Sequence, residues 1–151
     1  MPVELEFAKE IREVCLRLLT RREHSQLELL NKLSLKGFDR YDSQKIIDGL
    51  TEEGWQSDER FAESYARYRI KKGFGPVKIS YELRQRGITN FDLDAVVLDL
   101  ADSWLDLLEQ LYYKKYTDDG PLAQKEWLKR SRFLQQRGFS HEMIKTLCSW
   151  G

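Results

Sequence analysis

Lys125, Lys129 and Arg132, continued by Gln136, recur at i, i+4, i+7 and i+11, the interval that aligns side chains along one helix face. Trp127, Ser131 and Leu134 fall on the side such a helix turns toward a core, so this stripe is cationic and outward. A second basic group lies upstream. Arg67 and Lys71 are i, i+4 neighbours, as are Tyr68 and Lys72, and Lys78 and Arg86 share a face two turns apart, with Arg69 and Arg84 close by. Tyr65, Tyr68 and Tyr81 are interleaved with them and supply rings for cation stacking. The chemistry of such faces is electrostatic capture of phosphate or carboxylate, not bond making.

Other chemistries find little support. Gly73-Phe74-Gly75 is followed by Pro76, which lacks one of the amides a phosphate loop would offer, so the run reads as a structural turn. His24 and His141 show no metal-ligand spacing and are expected at the surface or at helix ends; Cys15 and Cys148 lie in apolar surroundings and read as core residues. No metal, cofactor or catalytic residue is expected. No segment reaches the roughly 18 apolar residues of a membrane span, and Glu4 and Glu6 make the start acidic, unlike a signal peptide, so a cytoplasmic protein is expected.

The chain of 151 residues carries 25 basic and 25 acidic side chains, yet they are sorted. Residues 66–88 hold seven basic and one acidic, whereas 89–113 hold six acidic and none basic. Salt screens over about 8 Å, so a basic face attracts anions although an acidic face lies elsewhere.

The elements that must position these cations are helices written three times over. Leu33-Ser34-Leu35-Lys36-Gly37-Phe38, Leu83-Arg84-Gln85-Arg86-Gly87-Ile88 and Leu134-Gln135-Gln136-Arg137-Gly138-Phe139 share the form Leu-x-x-(Lys/Arg)-Gly-(Phe/Ile). A cation near the last carbonyls, a glycine free to turn left-handed and an apolar residue folding back describe a helix end. Ser25-Gln26-Leu27-Glu28 reads as a capping box opening the first of these helices, Gly75-Pro76 opens the second, and Gly120-Pro121 is expected to open a third that is about a turn and a half longer. Apolar spacing places further helices on either side. The fold expected is all-α: a tandem array of three three-helix repeats, about nine helices, elongated and curved, divided as 1–56, 57–101 and 102–151. A helix-turn-helix reader of duplex DNA is disfavoured, because the helices after Gly37 and Gly87 begin with Asp42 and with Asp92 and Asp94.

Ser57-Asp58-Glu59-Arg60-Phe61-Ala62, Arg67, Lys72-Gly73-Phe74-Gly75-Pro76, Ile79, Glu82-Leu83 and Arg86-Gly87-Ile88 resemble the central signature of the bacterial RecX regulatory proteins. Arg22, Ser25, Glu28-Leu29 and Lys32-Leu33 resemble that family's first repeat, and Lys129 through Phe139 its last. One departure is Gln56, standing where the family usually has an aliphatic residue. The resemblance implies a cytoplasmic, non-enzymatic negative modulator that lodges in the groove of the RecA–DNA filament. It would inhibit RecA ATPase, strand exchange and coprotease activity and limit filament growth, a role in homologous recombination, DNA repair and the SOS response. Partners implied are RecA and single- or double-stranded DNA, the latter bound weakly by the protein alone, which is expected to be a monomer. The candidate surface is Arg67, Arg69, Lys71, Lys72, Lys78, Arg84, Arg86, Lys125, Lys129, Arg130, Arg132 and Arg137. The alternatives are a nucleic-acid-binding helical module acting without RecA, or a general helical adaptor.

Overall fold

A computed structural model describes residues 2–117 and 120–147, with side chains from Leu5 onward; Cys148, expected in the core, lies outside the described residues. Among these residues the chain forms nine α-helices and no strand: α1 Pro2–Arg21, α2 Gln26–Leu35, α3 Arg40–Glu52, α4 Asp58–Lys71, α5 Pro76–Gln85, α6 Leu93–Leu100, α7 Trp104–Lys115, α8 Gln124–Gln136 and α9 His141–Leu147. The all-α, three-by-three expectation is met.

The helix ends follow the chemistry of the repeated motif. Gly37, Gly87 and Gly138 have φ of 92°, 84° and 101°. The amide after each donates back to the motif leucine: Phe38 to Leu33 at 3.1 Å, Ile88 to Leu83 at 2.9 Å, Phe139 to Leu134 at 3.2 Å. This is the six-to-one bond of a left-handed C-terminal cap, which a side chain with a Cβ resists. At the other end of α2 the Ser25 hydroxyl accepts from the Glu28 amide while Glu28 accepts from the Ser25 amide, a complete capping box. Burial alone would raise the Glu28 carboxyl; bonds from the Arg22 side chain and the Ser25 backbone outweigh it and hold the group below its ordinary range.

Two compact units result, one comprising Met1–Ser64 with Leu83–Phe91 and the other Tyr65–Glu82 with Asp92–Gly151, so α4 and α5 each contribute residues to both. A three-helix repeat of this length buries too little apolar surface to be independent. In the first unit α1, α2 and α3 pack on one another around Ile11, Val14, Cys15, Leu29, Leu33, Ile47 and Leu50. Burial pushes the Cys15 thiol up to about 11, which makes it an inert packing group, as expected from its surroundings.

His24 departs from the surface role expected of it. It is 1% exposed, its Nδ1 lies 3.0 Å from the Arg22 carbonyl and its Nε2 3.3 Å from Lys32 Nζ. The chain's turn between α1 and α2 folds the ring inward, where burial holds its pKa below the ordinary imidazole value. Gln56, also 1% exposed, explains its own presence: its amide donates to the His24 carbonyl and to Asp58 Oδ1, and its oxygen accepts from Thr51. Asp58 Oδ1 further accepts from the Gln26 amide at 2.8 Å, so the α2 start is tied to the α4 start through a buried and satisfied polar group.

In the second unit α7 and α8 pack on α9 around Leu108, Tyr112, Leu122, Leu134, Phe139 and Ile144. Gly120-Pro121 does not open α8. Leu122 is buried in this core, Ala123 takes the extended conformation of an N-cap, and the helix begins at Gln124. With 13 residues against 10 in α2, α8 is longer by three residues, less than one turn rather than a turn and a half.

Candidate basic binding surface

The α4–α5 turn and the α8–α9 turn meet within the second unit. After Gly73, with φ of 89°, the Phe74 amide closes α4 on the Arg69 carbonyl at 3.1 Å. Gly75 then donates to the Arg137 carbonyl at 2.7 Å and Val77 to the Gly138 carbonyl at 2.9 Å. The first amides of α5 thus satisfy carbonyls at the end of α8, each helix end capping the other. The approach requires two glycines. A Cβ on Gly75 would lie 2.7 Å from the Gly138 oxygen, and one on Gly138 would lie 2.4 Å from Lys78 Cβ. With both amides bonded and Pro76 having none, this turn has no free cradle for a phosphate, in agreement with its reading as a structural turn.

Phe74, held between those glycines, collects cations. Arg69 lies 3.7 Å, Arg137 4.8 Å and Lys78 5.0 Å from its ring centroid. Arg69 is neutralised by a two-bond pair with Glu82, both distances 2.9 Å, and Tyr65 also donates to that carboxylate. Arg137 instead donates to the Lys72 carbonyl at 3.1 Å, and Lys78 to the Gln136 carbonyl at 3.5 Å.

The twelve expected cations therefore sort into three groups. Arg67, Arg69, Arg86 and Arg130 face carboxylates: Asp99 at 2.7 Å, Glu82 at 2.9 Å, Glu28 at 3.8 Å and Glu126 at 2.9 Å. Arg130 is only 5% exposed; it donates to the Tyr112 hydroxyl and lies over the Tyr116 ring, so it is part of the core. Lys78 and Arg137 are half-buried on backbone carbonyls. Lys71, Lys72, Arg84, Lys125, Lys129 and Arg132 are exposed, with no carboxylate in ion-pair contact among the described residues. Lys125, Lys129 and Arg132, with Ala123, Glu126 and the half-exposed Leu128, line a shallow depression on α8. Tyr68 and Tyr81 are more than half exposed. The sequence reading placed the α8 stripe correctly on the outside. It missed Phe74 as the ring around which three cations gather, although a lone aromatic between two glycines is a visible signal.

Among the described residues no group of His, Cys, Asp or Glu is arranged to hold a metal ion, and no helix is long and apolar enough to cross a membrane.

Comparison with known proteins places the architecture. Residues 12–50, 57–97 and 101–147 match the family models described as the first, second and third three-helix domains of RecX. The chain is 39% identical over 149 residues to regulatory protein RecX of Pseudomonas fluorescens strain SBW25, covering 99% of this chain and 96% of that protein. It is 36% identical over 138 residues to regulatory protein RecX of Halorhodospira halophila, covering 91% and 86%. Its fold is similar to a crystal structure of regulatory protein RecX, with a TM-score of 0.76 at 20% identity over 96% of this chain and 73% of that one. It is also similar to that of RecX from Lactobacillus salivarius, with a TM-score of 0.72 at 21% identity over 95% of both chains. With all three of its helical repeats matched in order, the chain belongs to the RecX regulatory protein family.

Proposed function

We propose that this protein is a non-enzymatic negative modulator of RecA, acting in the cytoplasm by seating in the groove of the RecA–DNA filament. In this reading it inhibits ATPase, strand exchange and coprotease activity and limits filament growth. Family membership supports a regulatory role. The observation that carries the finer reading is the α8 ridge of Lys125, Lys129 and Arg132, exposed, without carboxylate contact among the described residues, and bordering the depression that exposes Leu128. Uncompensated charge beside apolar surface is the composition of a docking face for an acidic or phosphate-lined groove. The four arginines already engaged with Asp99, Glu82, Glu28 and Glu126 are assigned to holding the fold.

The test is RecA ATPase on single-stranded DNA with this protein titrated in. Substoichiometric inhibition is expected, and the combined reversal Lys125→Glu, Lys129→Glu, Arg132→Glu should weaken it by about 10-fold or more, since like-charge juxtaposition costs several kcal/mol. Full inhibition by the reversed variant would reject this face. Binding to bare DNA with no effect on RecA would favour the module that acts alone.

A further inference from the structure

We infer that Lys72, Lys78 and Arg137 form a preorganised seat for a nucleic-acid backbone phosphate at the junction of the α4–α5 and α8–α9 turns. The seat lies wholly within the second unit. Lys78 Nζ and the Arg137 guanidinium both stand within 5.0 Å of the Phe74 centroid, and Arg137 is bonded to the backbone of Lys72 itself. The neighbouring Arg69 and Glu82 cancel each other. Three positive charges are left together with no carboxylate in ion-pair contact among the described residues, in a chain that has as many acids as bases.

Like charges gathered this way repel, and half-burial of two of them weakens screening. The fold nonetheless fixes them, through the aromatic ring, two carbonyls and a turn-to-turn contact that admits only glycine at positions 75 and 138. Groups held in place before binding need little further ordering, which favours association with an anion. The donors suit a phosphate better than a protein carboxylate. Arg137 spends one terminal nitrogen on the Lys72 carbonyl, which removes the end-on fork that grips a carboxylate in two bonds, and the two ammonium groups act as point charges. A nucleic-acid strand also supplies repeated charge, about one phosphate per 3.4 Å of axis in B-form DNA, enough for three cations. Since cations already occupy the Phe74 ring, no base stacks there, and recognition is through the backbone alone.

This assignment deepens the proposed function by naming the ligand at one part of the basic surface. Its test uses no RecA, so the two can fail separately. Full-length protein is titrated into a fluorescent oligo-dT strand and into an abasic strand of equal length, across a salt series. Each phosphate contact contributes about 0.7 to the log-log salt slope, so Lys72→Gln with Lys78→Gln should lower the slope by about 1.4 and weaken binding about 10- to 25-fold at 0.1 M salt, equally on both strands. The control, Lys9→Gln with Lys45→Gln, removes the same charge from exposed sites in the first unit and should leave binding within about 2-fold. Circular dichroism confirms that both variants are folded. Absence of oligo-dT binding by the wild type, or equal losses in variant and control, overturns the inference. Loss of RecA inhibition with an unchanged salt slope would make the ligand a protein carboxylate and overturn it as well. So would displacement of the strand by inorganic phosphate where chloride of equal ionic strength has no effect, which would assign the seat to free phosphate.

Discussion

Substituting alanine at three glycines separates two costs that a single variant would mix. At Gly37, φ is 92° and an added Cβ meets nothing within 4 Å, so only the left-handed backbone conformation is penalised. That cost is about 1–2 kcal/mol. At Gly75 φ is not in the left-handed region, but the Cβ would press on the Gly138 carbonyl at 2.7–2.8 Å and on Phe139 Cγ at 2.8 Å, so only crowding is penalised. Overpacking of this kind costs about 1–3 kcal/mol, and the adjacent bonds from Gly75 and Val77 add about 1 kcal/mol each if the turns separate. Gly138 combines the two, with φ of 101° and a Cβ 2.4 Å from Lys78 Cβ and 2.8 Å from its amide nitrogen, so Gly138→Ala should cost about 3–5 kcal/mol. Urea unfolding, followed by circular dichroism and by the fluorescence of Trp104 and Trp127 in the second unit, reads all three. The expected order of destabilisation is Gly37→Ala least, Gly75→Ala next and Gly138→Ala most, with the phosphate seat lost in the last. A Gly75→Ala protein as stable as wild type would refute the close approach of the two turns and everything built upon it.

Charge and burial give two further tests. Arg130→Met should destabilise the second unit by about 2 kcal/mol through loss of the Tyr112 and Glu126 bonds, while Lys129→Gln should stay within about 0.5 kcal/mol and alter binding only; melting curves and the ATPase assay distinguish them. His24 has a folded pKa below its unfolded one, so the unfolded state takes up the proton first, and its contribution to stability is present above the unfolded value of about 6.5 and declines as pH falls from there toward the folded value. The melting temperature should therefore fall between pH 7.5 and 5.5 by an amount that His24→Gln reduces, and an identical fall in both proteins would exclude the buried ring as its source.

The features legible in the sequence were those set by neighbours in the chain. The Leu-x-x-(Lys/Arg)-Gly-(Phe/Ile) ends and the Ser25 capping box depend on residues within six positions, and they appear as read. The outward α8 stripe likewise needs only helical periodicity. What sequence alone did not show were partners brought in from afar. Arg67 meets Asp99 across 32 residues, and Arg86 lies near Glu28 on a helix from another repeat. The carboxylates in question sit in blocks that read simply as acidic. His24 and Gln56 are buried because they satisfy one another's backbone and the Asp58 carboxylate, a mutual solution invisible when each residue is judged by type. Gly120-Pro121 carries a helix-start signal that core packing of Leu122 overrides.

The bonds from Gly75 and Val77 to Arg137 and Gly138 join α5 to α8 tail to head, although roughly sixty positions of chain separate them. Such a splice pins the two ends of everything between, and the span itself becomes a closed lobe whose girth is adjustable. Doubling a flexible connection costs only about 0.6 kcal/mol, so residues gained or lost between α7 and α8 leave the pinned ends in register. Natural variation in length across this family is accordingly expected to accumulate in that connection and to spare both turns.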